Sequence, residues 1–468
     1  MTTPYSTSSE TELITPAELT LSEENEIYSD FKKHKTEATY TLAHYLTKKY
    51  NIITVGEKER EFYVYQNGYY KPAENEIIFP EVQRILKEQT TKSAKMETLH
   101  KIADMTSHPR SIFSDAALNF IPLANGVYDT GQRLLLPHSP IYHFTYQFPI
   151  IYNQDAKAPL TEAFFKQILT EEQIPLVEEW IGYYFYRLYS FKKAIIFVGE
   201  GDTGKTTLLE VITHLLGRSN LSAVSLQKLT GDKFSAAHLY EKHGNLVDEL
   251  SAKDIQDTGN FKMATGGGSI TGEYKFGNQF SFINYSKFTF ACNKIPDVKE
   301  SDDTAYFNRW NVVRFEKTIE KKIPNFIATL TTDEERSGLF NLAILALERL
   351  LVNGQFSNRL DAMDTKREMM RSGSSIAQFV ADCVSAEPGA DITKADMYNL
   401  YTTFCASRKV ATETMDMFGK RFLFQCPEAS EGLIYDPEKP KAARVRGWRN
   451  IRVITPEIAT VDEEFEAL

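Results

Sequence analysis

Ile195-Ile-Phe-Val-Gly199-Glu-Gly-Asp-Thr-Gly204-Lys205-Thr206-Thr207 is the stretch on which the reading of this chain turns. Four apolar residues predict a buried strand, the pattern G-x-x-x-x-G-K-T follows, and Leu208 to Leu216 have helical apolar spacing. Glycines let the backbone curl its N–H groups around an anion, and a helix starting behind them adds the positive end of its dipole. Gly199, Glu200, Gly201, Asp202, Thr203, Gly204, Lys205, Thr206 and Thr207 are therefore the candidate cradle for a nucleoside triphosphate. Lys205 is placed to reach the β- and γ-phosphates and the Thr206 hydroxyl to ligate Mg²⁺. The plainer alternative is an ordinary glycine-rich strand-to-helix turn; apolar strand, complete motif and apolar helix together argue against it.

Further along, three segments bring the groups such a loop needs. His243-Gly-Asn-Leu-Val-Asp248-Glu249 is an apolar strand ending in two acids. Asp248 suits a metal, and Glu249 suits the orientation of an attacking water. Tyr285-Ser-Lys-Phe-Thr-Phe-Ala-Cys-Asn293 is a strand that delivers an amide at its end, fit for a γ-phosphate or a lytic water, or simply for a turn before Pro296. Asp302 to Phe315 place Arg309 before another strand, a planar cation of the kind a developing phosphoryl charge requires, or equally a surface ion-pairer.

Composition sets the frame around these motifs. The 468 residues suffice for about three domains. The 53 basic and 63 acidic residues give a net charge of −10, which argues against indiscriminate coating of nucleic acid. Cys292, Cys383, Cys405 and Cys426 form no C-x-x-C pair and read as free thiols in a reducing cytoplasm. No signal peptide and no apolar run of transmembrane length is evident, so a soluble, cytoplasmic protein is expected (host cytoplasm if virus- or phage-encoded).

The expected organisation is multidomain α/β. Residues 1–25 read as a disordered acidic tail, and 26–152 as an α+β domain. In it a helix runs from near Glu24 to Tyr50, and a hairpin turns at Asn67-Gly68. Residues 153–190 read as a helical linker, 191–320 as the nucleotide domain, and 321–371 as helices ending in a polar connector around Asp361 to Arg371. Residues 372–456 read as three helices and a basic β ribbon, and 457–468 as an acidic tail.

Two segments read as nucleic-acid contacts. Lys275-Phe276 sit beside a Gly277-Asn278 hairpin tip, a cation next to an aromatic that suits single-stranded backbone and base stacking. The run 439–452 has six cations and no acid, among them Arg444, Arg446 and Arg449, with Trp448 between. It suits phosphate contact, although an edge ribbon also uses such charges against aggregation.

Loop, Asp-Glu strand, terminal Asn293 and late Arg309 together resemble a superfamily III helicase, in particular the helicase part of phage and plasmid primase–helicases and the poxvirus-type NTPases. Asn125-Gly-Val-Tyr-Asp and Leu136-Pro-His-Ser-Pro extend the likeness upstream, and the C-terminal region extends it downstream. The resemblance implies an AAA+-like ATPase core preceded by a helical collar and followed by a winged helix. It implies a homo-hexameric ring with ATP and Mg²⁺ between subunits, Thr206 and Asp248 at the metal, and Asn293 as sensor. Arg309 becomes the finger that reaches the neighbouring ATP, with Arg314 the weaker candidate, and Lys192 or Lys193 contacts ATP in trans. Lys275 becomes the cation of a pore hairpin, while Phe276 stands where some relatives have histidine.

The expected activity is ATP-dependent unwinding of duplex DNA, 3′→5′ by analogy, during replication of a phage, virus or plasmid-like element. Single-stranded and forked DNA are the expected partners. No primase active site is evident in residues 1–120, which leaves a separate primase or polymerase as a partner. The competing reading is an ATP-gated initiator or loader that clamps DNA without processive unwinding.

Overall fold

The computed structural model describes residues 19–56, 60–114, 118–231, 234–251, 258–274, 278–296, 303–319, 323–357, 360–408, 410–435 and 444–454. They divide into two compact units, Met1–Ala156 and Lys157–Leu468, of mixed α/β content.

In the first unit Asn67 and Gly68 both take positive φ, 55° and 92°, the backbone that a two-residue turn needs to match the twist of its strands. The turn pairs Glu61–Gln66 with Tyr69–Pro72, and Ile53–Val55 and Ser107–His108 extend the sheet beyond it. Helices Leu21–Lys33, Lys35–Tyr50, Phe79–Leu86 and Lys92–Thr106 share one core, in which Phe31, Leu42, Val82 and Ile102 meet Phe62 and Val64 of the hairpin. A second antiparallel sheet joins Phe120–Leu123, Gly126–Asp129 and Leu134–Leu136.

Two expectations change here. The helical segment near Glu24 to Tyr50 is two helices, broken where His34 adopts φ −132° and ψ 60°. The first helix begins at Leu21, inside the expected tail. Thr20 caps it by accepting from the Glu23 amide, while the Glu23 carboxylate accepts from the Thr20 amide at 2.8 Å.

Five parallel strands form the central sheet of the second unit, in the order Trp310–Arg314, Ala194–Val198, Lys287–Cys292, Gly244–Val247, Leu221–Ser222. Ala194–Val198 is buried along its whole length, which is why it reads as an unbroken apolar run. Because all strands run the same way, their C-terminal ends share one edge, where open α/β sheets bind ligands. Helices Pro159–Ile168, Ile174–Tyr183 and the 21-residue Asp333–Asn353 pack in the same unit. The buried Glu335 carboxylate fixes that packing, accepting from the amides of Leu160 and Thr161 at 3.1 and 3.0 Å and so capping a helix other than its own.

The polar stretch expected as a connector around Asp361 to Arg371 is instead the helix Ala362–Gly373, with Asp361 as its N-cap. Arg367 is exposed and Glu368 pairs with Arg314, while Thr365 and Met369, one turn apart, are buried. Three further helices follow, Ser375–Cys383, Lys394–Ser407 and Met415–Gln425. The ribbon strands Ser430–Tyr435 and Arg444–Val453 gain a third partner, Val384–Thr393, which the sequence reading did not anticipate. All four cysteines are buried thiols, and no helix among the described residues is long and apolar enough to cross a membrane.

Candidate functional site

The loop that leaves Ala194–Val198 turns into the helix Lys205–Leu216 through Gly204, whose φ of 92° a residue with a Cβ adopts only under strain. Asp202 takes that left-handed region without being glycine (φ 60°). Lys205 is buried and folds back over the loop, its Nζ donating to the carbonyls of Gly199 at 2.8 Å and Glu200 at 2.7 Å and to Thr203 Oγ1 at 3.2 Å. Burial lowers its pKa, and Cys292, Asp248 and Glu200 pull the other way.

The adjacent strands complete the edge. Gly244–Val247 ends just before Asp248 and Glu249, both exposed, and Lys287–Cys292 ends just before the exposed Asn293. Thr206 Oγ1 donates to Asp248 Oδ1 at 3.1 Å, so the hydroxyl and the carboxylate predicted to share a metal are already together. One cavity of about 540 Å³ is lined by Gly201 to Thr207, Asp248, Glu249 and Asn293 on one side and by Phe164, Ile323 and Phe326 on another. Chemically, this edge offers backbone N–H groups and a cation for an anion. Beside them lie a hydroxyl–carboxylate pair of the oxygen type that hard divalent cations prefer, a second carboxylate and an amide.

Arg309 lies at the opposite edge. It directly precedes Trp310–Arg314, and its carbonyl accepts from Ala194 at the start of the neighbouring strand, so Lys193 and Arg309 stand side by side. Five residues of strand, roughly 16 Å at 3.3 Å per residue, separate Arg309 from the loop edge. Its guanidinium is held three times, by Thr265 Oγ1 on Nε at 2.8 Å, by the Ala305 carbonyl on Nη1 at 2.8 Å and by the Lys262 carbonyl on Nη2 at 3.2 Å. A guanidinium has five N–H groups, so one remains on each terminal nitrogen. No local pattern marks Thr265; only the fold brings it to Arg309. Arg314, at the far end of the same strand, is ion-paired with Glu368.

Of the nucleic-acid candidates, Lys275 and Phe276 lie outside the described residues. The strands that flank them, Ser269–Glu273 and Gln279–Ile283, pair in register as the predicted hairpin. Tyr274, which the sequence reading passed over, is half exposed there and stacks on Phe280 with ring centroids 5.4 Å apart. On the ribbon Arg444 and Arg446 are exposed, and Arg444 covers the Tyr435 ring at 5.3 Å. Arg449 lies across the ribbon instead, donating to the Leu433 carbonyl at 2.6 Å over Gly432.

Comparison with known proteins adds three findings. Residues 23–173 match the family described as D5 N terminal like, and residues 197–309 match a family of unknown function, DUF5906. A protein of Acanthamoeba polyphaga mimivirus named "Putative helicase L207/L206" is 24% identical over 314 residues, 62% of this chain and 32% of that protein. The chain thus spans about a third of the curated relative it matches. Among solved structures, two apo structures of the NrS-1 C-terminal region each align with a TM-score of 0.47 and 11% identity. The first covers 87% of this chain and 97% of that one, the second 87% and 98%. Over residues 23–173 the chain is thus similar to the D5 N terminal like family, and over 314 residues it is similar to a viral protein named as a putative helicase.

Proposed function

We propose that this chain is an ATP-dependent DNA helicase that assembles as a hexameric ring and unwinds duplex DNA, 3′→5′, during replication of a phage, virus or plasmid-like element. One observation carries the reading. The glycine loop, the Thr206–Asp248 pair, Glu249 and Asn293 converge on one cavity at the C-terminal edge of a parallel sheet. In this reading the sheet is an AAA+-like core, consistent with its strand order. Helices Pro159–Ile168 and Ile174–Tyr183 form the collar, and residues 372–456 a winged helix with Met415–Gln425 for the groove and the ribbon as wing.

Gly199 to Thr207 cradle the triphosphate, and Lys205 exchanges its loop carbonyls for phosphate oxygens. Thr206 and Asp248 would hold Mg²⁺, which when bound neutralises phosphate charge; a hydroxyl already bonded to a carboxylate suits an oxygen-seeking cation. Glu249 and Asn293 orient the attacking water. Arg309, too far from its own loop, serves the nucleotide of a second copy, with Lys193 beside it. That arrangement requires an oligomer. The hairpin with Lys275 and Phe276 contacts single-stranded DNA, and Arg444, Arg446 and Arg449 supply sequence-independent phosphate contacts. A separate primase or polymerase is the remaining partner.

The test is strand displacement on forked duplexes of both polarities with ATPase followed in parallel. Wild type should unwind one polarity, Lys205→Ala should lose both activities, and Lys275→Ala should keep basal ATPase while losing displacement. ATP hydrolysis and DNA binding without displacement on either fork would replace the helicase reading with that of a clamp-type initiator.

A further inference from the structure

The cavity at the sheet edge has two chemically distinct halves. One is the anion half, made of the loop amides, Lys205 and Thr206. The other contains no cation among the described residues that line it. It is built from Phe164, Ile319, Ile323 and Phe326, with the side-chain amides of Gln167 and Asn325 among them. Three segments bring these residues to the loop. Phe164 and Gln167 come from the helix Pro159–Ile168. Ile319 follows the Trp310–Arg314 strand, its amide donating to the Asp202 carbonyl at 2.9 Å. Asn325 and Phe326 open the short helix Phe326–Leu330.

The apolar wall is fixed on one side and open on the other. Phe164 is buried and meets Phe326 edge to face, ring centroids 5.7 Å apart and planes at 74°, which sets the orientation of the Phe326 ring. Ile323 is more than half exposed, an unusual place for a large aliphatic side chain that lines a cavity also lined by a lysine and four acidic residues, Asp202, Glu210, Asp248 and Glu249. Asn325 holds φ 58°, a left-handed backbone that asparagine tolerates better than most residues. Neither the Gln167 nor the Asn325 side-chain amide has a hydrogen-bond partner among the described residues. Each therefore offers both donors and an acceptor to whatever enters.

We propose that this half is a nucleobase subsite: the base lies against Phe326 and Ile323, and the amides of Gln167 and Asn325 hydrogen-bond its edge. The chemistry follows from the division of the cavity. A triphosphate needs only the loop half, whereas a flat, neutral heterocycle with donors and acceptors on its rim needs an apolar face and neutral amides. At about 540 Å³ the whole cavity is of the size that holds a small-molecule ligand rather than a bare anion. Phe326 and Ile323 would then set affinity for the nucleoside, and Gln167 and Asn325 would set which base is preferred. The inference rests on the triphosphate reading of the loop, so its test must separate the two.

Equilibrium binding of ATP, GTP, CTP, UTP and inorganic tripolyphosphate in the presence of Mg²⁺ makes that separation, with wild type, Phe326→Ala, Ile323→Ala and the double variant Gln167→Ala/Asn325→Ala. Phe326→Ala should weaken nucleotide binding about tenfold, the scale of one lost stacking contact, and leave tripolyphosphate affinity within twofold. Ile323→Ala, at a half-exposed position where folding is not at stake, should act in the same direction by a few-fold. The double amide variant should change the ratio of affinities among the four nucleotides. Equal weakening of nucleotides and tripolyphosphate, or no weakening of either, overturns the subsite, and an unchanged ratio overturns the role of the amides. If wild type binds neither a nucleotide nor tripolyphosphate, it is the triphosphate reading itself that fails.

Discussion

The two edges of the central sheet are built in opposite ways. At the C-terminal edge the functional side chains are either exposed, like Asp248, Glu249 and Asn293, or held by partners a ligand can replace, like Lys205 on two loop carbonyls. At the N-terminal edge the cations are held by the fold. Arg309 is gripped by Thr265, Lys262 and Ala305. Lys287 is fully buried, donating to the carbonyls of Tyr186 and Tyr285 at 2.7 and 2.6 Å beneath the rings of Tyr183 and Tyr189. The first edge leaves its polar groups exposed or on exchangeable partners. The second holds its charges in fixed geometry, which is what a cation needs if it is to act on a molecule other than its own.

The sharpest way to break this comparison is at Lys205. Lys205→Ala should lower nucleotide hydrolysis by at least about 10²- to 10³-fold, the scale for removing a preorganised charge from a phosphoryl site. Its thermal midpoint should change little, because the lysine's present partners are loop carbonyls that water can satisfy. A steady-state ATPase assay beside a thermal melt reads both. Equal loss of fold and activity would mean that Lys205 holds the loop together rather than awaiting an anion.

Arg309→Ala is the next largest. If the N-terminal edge serves a second copy, kcat should fall about 10³-fold, as for a supplied arginine, while KM stays within a few-fold. Doping the variant into wild type should depress activity more than in proportion to its share, because each altered subunit disables a neighbour. Strictly proportional loss would place Arg309 outside any shared site.

How much of this could be read from the chain depends on the range of the interaction. The loop, the Asp-Glu strand end and the Asn67-Gly68 turn are local patterns, and each forms where the sequence placed it. The helix Ala362–Gly373 reads as a connector because polar residues dominate its composition, while its buried anchors among the described residues are Thr365 and Met369, with Ala362 partly buried beside them. The strand Val384–Thr393 was missed because Glu387-Pro388-Gly389 reads as a turn. The fold absorbs that segment as an irregularity between Ala386 and Asp391 while the rest pairs with Arg444–Val453. The grip on Arg309 is wholly tertiary, since Thr265 lies 44 positions away in the chain. The local structure of the motif segments was therefore legible, and the tertiary contacts that position their side chains were not.

Positioning can be tested apart from chemistry. Thr265→Val keeps the shape of a buried side chain but removes the acceptor on Arg309 Nε, leaving the guanidinium free to swing about the remaining two bonds. In the shared-site reading kcat should fall roughly tenfold to 10²-fold, the range for a misplaced reacting group, with KM unchanged. Thr265→Ser, which restores the hydroxyl, should recover most of it. If Arg309→Ala is severe and Thr265→Val silent, the arginine acts without this support.

The smallest effect concerns Lys287, where the fixed edge makes a statement about pH. Burial pushes its pKa well below the ordinary lysine value. The unfolded chain holds that proton up to about pH 10.4. Between the lowered folded value and that limit the unfolded state binds more protons. Stability from this group is therefore complete above the unfolded pKa and is lost as pH falls towards the folded one. The groups facing it do not blur the window. Tyr183 and Tyr189 are pushed upward by their own burial, and the neighbouring buried His243 is pushed down to about 3. Lys287→Met keeps an unbranched apolar stem of similar length without the charge. Urea unfolding at several pH values from 7 to 10 should show wild type gaining stability relative to the variant as pH rises. The variant should be at least as stable at pH 7, the end of this range at which burying the amine costs most. A parallel pair of curves would mean that the two carbonyls and two ring faces keep Lys287 charged throughout. The N-terminal edge would then be a fixed positive wall rather than a neutral cage with Arg309 and Lys193 as its outward charges.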